Sequence, residues 1–237
     1  KGRAYTSPPE VVESFEQVFN DFQASYFAGA LLMPRAEILA DIEVFFGPEA
    51  FRPNMLQNML TKFRVTPEML LYRLSDLMPQ HFGIGIHFLR FHDADGDYHL
   101  VKQLNMSQLP LPSGIGLNEH YCRRWLTTRL LQEMVDAVPV SAEMVASNGI
   151  YAQRDGTLEI EKPHIGVQMS EYFGSGTRFL CMGFGRPLAL SPDVNTSVIV
   201  GFRVDADLAS AIHFVDDPDV PVTVINETCE RCALTET

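Results

Sequence analysis

The sequence lacks a long apolar run. None approaches the ~18 residues of a membrane span, so no membrane partner is expected. The opening KGRAYTSPPE has no apolar stretch of the kind a secretory signal needs. It also lacks an initiating Met, so the chain reads as a fragment of a longer protein. Positive charge is scarce: 18 Lys and Arg stand against 30 Asp and Glu, for a formal net charge of −12. A duplex-binding surface replaces counterions on phosphates with clustered Lys and Arg. No basic run is present, so DNA is expected only through a missing upstream domain. There are four cysteines, Cys122, Cys181, Cys229 and Cys232. Without a secretory signal the default is a reducing cytoplasm, where structural disulfides are disfavoured.

Common catalytic motifs are missing as well. There is no Gly-x-Ser-x-Gly and no phosphate-binding loop. Gly83-Ile-Gly85 and Gly174-Ser-Gly176 lack the rest of a dinucleotide fingerprint. No His-Glu-x-x-His occurs around any of the seven histidines. That motif puts two zinc-binding imidazoles and a base on one helix face. On this ground the chain is not expected to be an enzyme.

What is present is an ordinary globular composition, 46% apolar and 20% charged, enough for a real core. The first third reads as helical. Ser7-Pro8-Pro9-Glu10 is a helix-start pattern, and Phe15, Phe19, Phe22 and Tyr26 recur at three- or four-residue spacing. The stretch FQASYFAGALLMPR, residues 22–35, ends that helix at Met33-Pro34. Further helices are predicted over Arg35–Phe46 and about Pro53–Lys62, and from Thr66-Pro67, with Thr66 as cap. From Gly83 the period changes to two. Ile84, Ile86, Phe88 and Arg90 lead to the turn Asp93-Ala-Asp-Gly-Asp97, and Tyr98–Leu104 reads as the return strand. The aspartates of that turn lack the further ligands of a calcium loop.

The Pro- and Gly-rich stretch 108–117 is the best linker, which sets a boundary near 108. Beyond it a helix is predicted from about Asn118 to Val135. Hairpin signals follow at Asn148-Gly149 and Asp155-Gly156. Strands are predicted at Phe179–Phe184 and Ser197–Val204, and a short helix, capped by Asp205, over Ala206–Phe214. The fold class is therefore α+β: a helical domain with a β-hairpin over 1–108, then a small sensor-like domain with an antiparallel sheet over 109–237.

Phe63–Leu77, FRVTPEMLLYRLSDL, has helix-turn-helix spacing. Its second helix opens with Pro67-Glu68-Met69-Leu70, acidic and apolar where a DNA reader exposes cations and polar groups. A structural helix pair is the reading. Cys229-Glu-Arg-Cys232 is the sharpest chemical feature, because two thiolates three residues apart can share a metal. A site of about four ligands would add Cys122, beside His120, and a fourth ligand past Thr237. Two free, partly exposed thiols are the alternative. Cys181, in the run Phe179-Leu-Cys-Met-Gly-Phe184, reads as core.

FQASYFAGALLMPR resembles the helix that follows the zinc-binding helix in ImmA/IrrE-type metallopeptidase domains. With RAYTS, FRVTPEMLLYRLSDLMP and the terminal CERC, the chain resembles the short-chain fatty-acyl transcriptional regulators. That family is XRE-type, with a helix-turn-helix domain, a degenerate ImmA/IrrE-like domain and a cysteine-cluster domain. The resemblance implies a homodimeric sensor with CoA or a short-chain acyl-CoA as effector. It further implies an iron–sulfur cluster or zinc at Cys122, Cys229 and Cys232. Asp21 lies near where such peptidases have their third, acidic ligand. An acyl-CoA pocket needs apolar walls and cations. Tyr5, Tyr26, Phe27, Leu31 and Tyr72 are the predicted walls, with His87 or Phe88 as the closure. Arg35 and Lys102 are the first cations, and Arg3, Arg64, Arg73 and Arg90 are further ones. An acyl-CoA hydrolase-like or peptidase-like enzyme with an unrecognised site, and a pure dimerisation module, are the rival readings.

Overall fold

The structure, a computed structural model, describes residues 14–94, 96–112, 119–136, 150–152, 158–160, 163–188 and 191–234. Tyr5, Arg3, the Ser7–Glu10 helix start and the turns at Asn148-Gly149 and Asp155-Gly156 lie outside these residues. Four helices come first. Helix α1 (Phe15–Leu32) is capped by Ser14, whose hydroxyl accepts the Gln17 N–H at 3.2 Å. Pro34 leads into α2 (Arg35–Phe46), which stops at Gly47. Helix α3 (Pro53–Phe63) closes on Arg64 in the left-handed region, φ 53°. Helix α4 (Pro67–Leu77) starts with Pro at its first turn, and the Thr66 hydroxyl accepts the Met69 N–H. A five-residue π turn, Met78–Phe82, then ends at Gly83 with φ 69°.

The strands are β1 (Ile86–Ala94), β2 (Asp97–Asn105), β3 (Ile150–Ala152), β4 (Leu158–Ile160), β5 (His164–Tyr172), β6 (Arg178–Leu188), β7 (Ser191–Arg203) and β8 (Val222–Ile225). Six form one sheet in the order β2-β1-β7-β6-β5-β8. Its pairs are antiparallel except β5 with β8, which is parallel. Strands β3 and β4 form a separate antiparallel pair. The predicted turn at Asp93–Asp97 joins β1 to β2, with the Asp93 carboxylate accepting the Gly96 N–H at 2.9 Å. β1 pairs with β7 from Ile86–Phe202 to Asp93–Asn195. A cut near 108 would thus separate two hydrogen-bonded neighbours of one sheet. The fold is α+β, with helices on both faces of that sheet.

Alternation in the strands feeds two cores. Ile86, Phe88, Met182, Phe184 and Val200 pack with Leu70, Leu74 and the other apolar residues of α2–α4. Leu89, Phe91, Phe179 and Ile199 face the other way, onto Trp125 and helix α5 (Leu126–Asp136). Burial on both faces explains why β6 reads as a nearly continuous apolar run. Helix α5 lies close because two strand positions are glycine. A Cβ at Gly166 would meet Leu130 at 2.9 Å, and one at Gly185 would meet Met134 Sδ at 2.8 Å. The helix begins at Leu126 and not near residue 118. Residues 119–122 instead run beside the C-terminal segment, with a bridge between Tyr121 and Thr228. The short helix α6 (Ala206–Ala211) has Asp205 as its cap, and a 3-10 turn, His213–Asp216, follows. Among the described residues no helix is long and apolar enough to cross a membrane.

Candidate functional site

Helix α4 presents Glu68, Tyr72 and Asp76 at four-residue intervals, one stripe of a helix. Opposite it, Arg90 on β1 and Lys102 on β2 are direct cross-strand partners. Glu68 is clamped by Arg186 of β6 through two charge-assisted bonds, 3.1 and 2.8 Å. Burial raises the Glu68 carboxyl pKa, but the Arg186 hydrogen bonds and charge, with Arg90, hold it below the ordinary range. Lys102 Nζ stands 3.9 Å over the Tyr72 ring, and Tyr72 meets Phe88 edge-on at 5.9 Å. Burial pushes the Lys102 amine down, helped by Arg90 and opposed by Asp76.

Arg73 is the unusual member of this group. It is 2% exposed, and its guanidinium lies 5.1 Å from the Tyr26 ring of α1. Its nearest carboxylate, on Asp76, is 3.7 Å away, beyond hydrogen-bond length. Arg73 Nε and Nη1 have no hydrogen-bond partner, nor does Arg90 Nε. Burial pushes the Asp76 carboxyl up more than Arg73 and Lys102 pull it down. Four cations, Arg73, Arg90, Lys102 and Arg186, therefore share a layer with two carboxylates and several unmet donors. Such a layer is chemically ready for an anion, since a buried charged donor left unpaired is costly.

The structure brings Tyr26, Tyr72, Phe88 and Lys102 of the predicted residues together, along with Arg73 and Arg90. Phe27 and Leu31 are exposed at 63% and 65% on α1. Arg35 is exposed at the start of α2. His87, predicted to close the pocket, lies on the opposite face of β1 from Phe88. There its Nδ1 pairs with the Ser107 hydroxyl at 2.8 Å, and its Nε2 is 3.7 Å from Cys181 Sγ. Burial drives its pKa down to about 3 and that of Cys181 up to about 12, so both are neutral core groups. Beside them is a small space of about 10 Å³, the size of one water. A cleft of about 180 Å³ opens elsewhere, between Gly83–Gly85, Met106–Gln108 and Arg203. Neither space borders the Tyr72–Lys102 cluster, which is an open layer reached past exposed Lys102.

Sequence reasoning missed Glu68, Asp76 and Arg186. The first two were readable as the polar stripe of α4. Arg186 was not, because it lies 118 residues away from its partner.

The three predicted metal-ligating cysteines come to one corner. Cys122 N donates to Glu227 O, and Cys229 N donates to His120 O. The Asn226 N–H points at Cys122 Sγ at 3.5 Å and the Arg123 N–H at Cys229 Sγ at 3.4 Å. Cys229 Sγ also reaches the Tyr121 carbonyl at 3.6 Å. Burial pushes the Cys122 thiol up, with Cys229 and Cys232 adding to the effect. Outside the corner, His120 pairs with Glu230 at 2.6 Å and Arg231 with Glu119 at 2.7 Å. Among the described residues, no three His, Cys, Asp or Glu side chains are placed to hold a metal ion.

Residues 13–75 match the family model of the IrrE N-terminal-like domain, a peptidase family. This segment is ImmA/IrrE-like. It spans α1 to most of α4 and so contains Tyr26, Tyr72 and Arg73 of the cationic layer. Domains of this type occur in regulators and in peptidases. The match to a peptidase family does not support the expectation of a non-enzymatic chain. No curated protein and no solved structure matches the chain.

Proposed function

We propose that this chain is the effector-binding part of a bacterial transcription regulator, in which an ImmA/IrrE-like scaffold holds CoA or a short-chain acyl-CoA instead of cutting peptides. The observation that carries the reading is buried Arg73 with two unmet donors, which shares Asp76 with Lys102, the cross-strand partner of Arg90. Phosphates of the ligand would take those donors, and the rings of Tyr26 and Tyr72 would flank it. Asp76 would be the carboxylate that such a ligand displaces. DNA would be read by an upstream domain of the homodimer, and the ligand would shift the balance between two arrangements by binding one of them better.

Melting curves with CoA, acetyl-CoA and propionyl-CoA test this. A rise in melting temperature that saturates with ligand is expected. No rise with any of the three at millimolar concentration would end the proposal. A peptidase-type activity is the second reading, supported by the family match. Cleavage of a peptide library, or thiol release from an acyl-CoA, would favour an enzyme.

A further inference from the structure

The cationic layer and the cysteine corner lie on opposite faces of the sheet, and one irregularity stands between them. In the β1–β2 pair, Arg90 is opposite Lys102 but Phe91 is opposite Leu100, so Val101 has no partner. The extra residue changes which face the strand presents. Lys102 and Leu104 face α4, and Leu104 packs with the first core. Leu100 and Tyr98, past the bulge, pack with Phe91 and Trp125 in the second core. In a regular strand without a bulge, Lys102 and Leu100, two residues apart, would fall on the same face.

We propose that this β-bulge couples occupation of the Tyr72–Lys102 layer to the Trp125–Cys229 corner. The proposal rests on the reading of that layer as the effector site. β1 keeps a constant register with β7 from Ile86 to Asp93 and acts as a fixed rail. Among the described residues β2 is the edge strand of the sheet, with β1 as its one strand partner, so it can adjust more readily than β1. An anion on Arg73 draws Lys102 off the Tyr72 ring, and the strain reaches Leu100 across one bulged residue. Leu100 backs Phe91, whose ring meets Tyr121 at 4.9 Å and Trp125 at 6.2 Å, both edge-on. Tyr121 in turn holds Cys229 through its carbonyl, and Trp125 Nε1 donates to Asn226 O at 2.8 Å. From Phe91 onward each step is a packed contact or a hydrogen bond, and the coupling must be reciprocal.

Trp125 is the single tryptophan of the chain, so its emission reports on this corner. The test titrates the whole chain with CoA and with pyrophosphate, following Trp125 emission. The alkylation rates of Cys229 and Cys232 by iodoacetamide are read by mass spectrometry, and binding is read separately by calorimetry. Emission is expected to change in step with binding, and at least one alkylation rate by about fivefold or more. The ligand-free Lys102→Ala variant, altered at an exposed position, is expected to shift both readouts by itself. Binding by calorimetry with unchanged emission and alkylation would overturn the coupling and leave the effector reading standing. Absence of binding would end the effector reading. The variant then decides alone: shifted readouts keep the coupling, and readouts identical to wild type remove it.

Discussion

At the scale of single residues, the account turns on buried cationic donors that lack hydrogen-bond partners. Lys102 shares the Asp76 carboxylate with Arg73. Removing it as Lys102→Ala is expected to weaken CoA binding about ten- to hundredfold, the weight of a charge-assisted hydrogen bond. Calorimetry reads this directly. Asp76→Asn acts the other way, because it deletes the carboxylate that competes with a ligand phosphate for Arg73 and Lys102. Its affinity is expected to rise severalfold. The cysteines separate by burial. Cys122 and Cys181 are buried, with thiols pushed up, whereas Cys229 and Cys232 are partly exposed. Brief treatment of the native chain with iodoacetamide should modify the last two and spare the first two, as peptide mapping would show. Of these residues, the aromatic and basic ones were legible as types suited to an acyl-CoA. Which of them meet was not, since Phe27 and Tyr26 are neighbours in sequence yet only Tyr26 reaches Arg73.

At the scale of elements, turn and cap chemistry was the most readable layer. Thr66-Pro67 and Asp205 bound their helices as predicted because each acts through its own backbone or a few bonds nearby. The helix predicted from Asn118 begins late for a reason no local pattern carries. Residues 119–122 are taken by the C-terminal segment through the Tyr121–Thr228 bridge and the Cys122–Glu227 hydrogen bond. The Glu68–Arg186 clamp is likewise a long-range device that ties α4 to β6. Glu68→Ala would leave Arg186 and Arg90 facing each other in a half-buried layer. A loss of about 3 kcal/mol is expected, the order found when one partner of a buried pair is removed. Urea unfolding gives the number. Because the Glu68 carboxyl pKa is lowered in the fold, its contribution is present above the ordinary carboxylate pKa and is lost as pH falls through the folded value. The variant should therefore lose less stability than wild type on acidification.

At the scale of the whole molecule, the sheet is the organising fact. A boundary drawn from Pro and Gly content at 108–117 marks a real change of local composition, but β1 and β7 hydrogen-bond across it. The β1–β7 pairing that joins the two halves of the sheet links residues over a hundred apart, and composition carries no trace of it. Buried His87 is one source of acid sensitivity, beside Glu68 and His92, whose pKa burial pushes down to about 4. Its pKa falls from 6.5 to about 3 in the fold, so the unfolded chain binds the extra proton. Stability is then complete above about pH 6.5 and declines as pH drops toward 3. His87→Asn should flatten that decline in thermal melts taken across the same range, whatever its cost at neutral pH.

The claim that holds these scales together is that an ImmA/IrrE-like scaffold here binds an acyl-CoA through the Arg73–Lys102 layer. Calorimetric titration of propionyl-CoA into wild type and Lys102→Ala tests it most directly. The account expects saturable binding to wild type and at least about tenfold weaker binding to the variant. Equal binding by both proteins, or none by wild type, would contradict it.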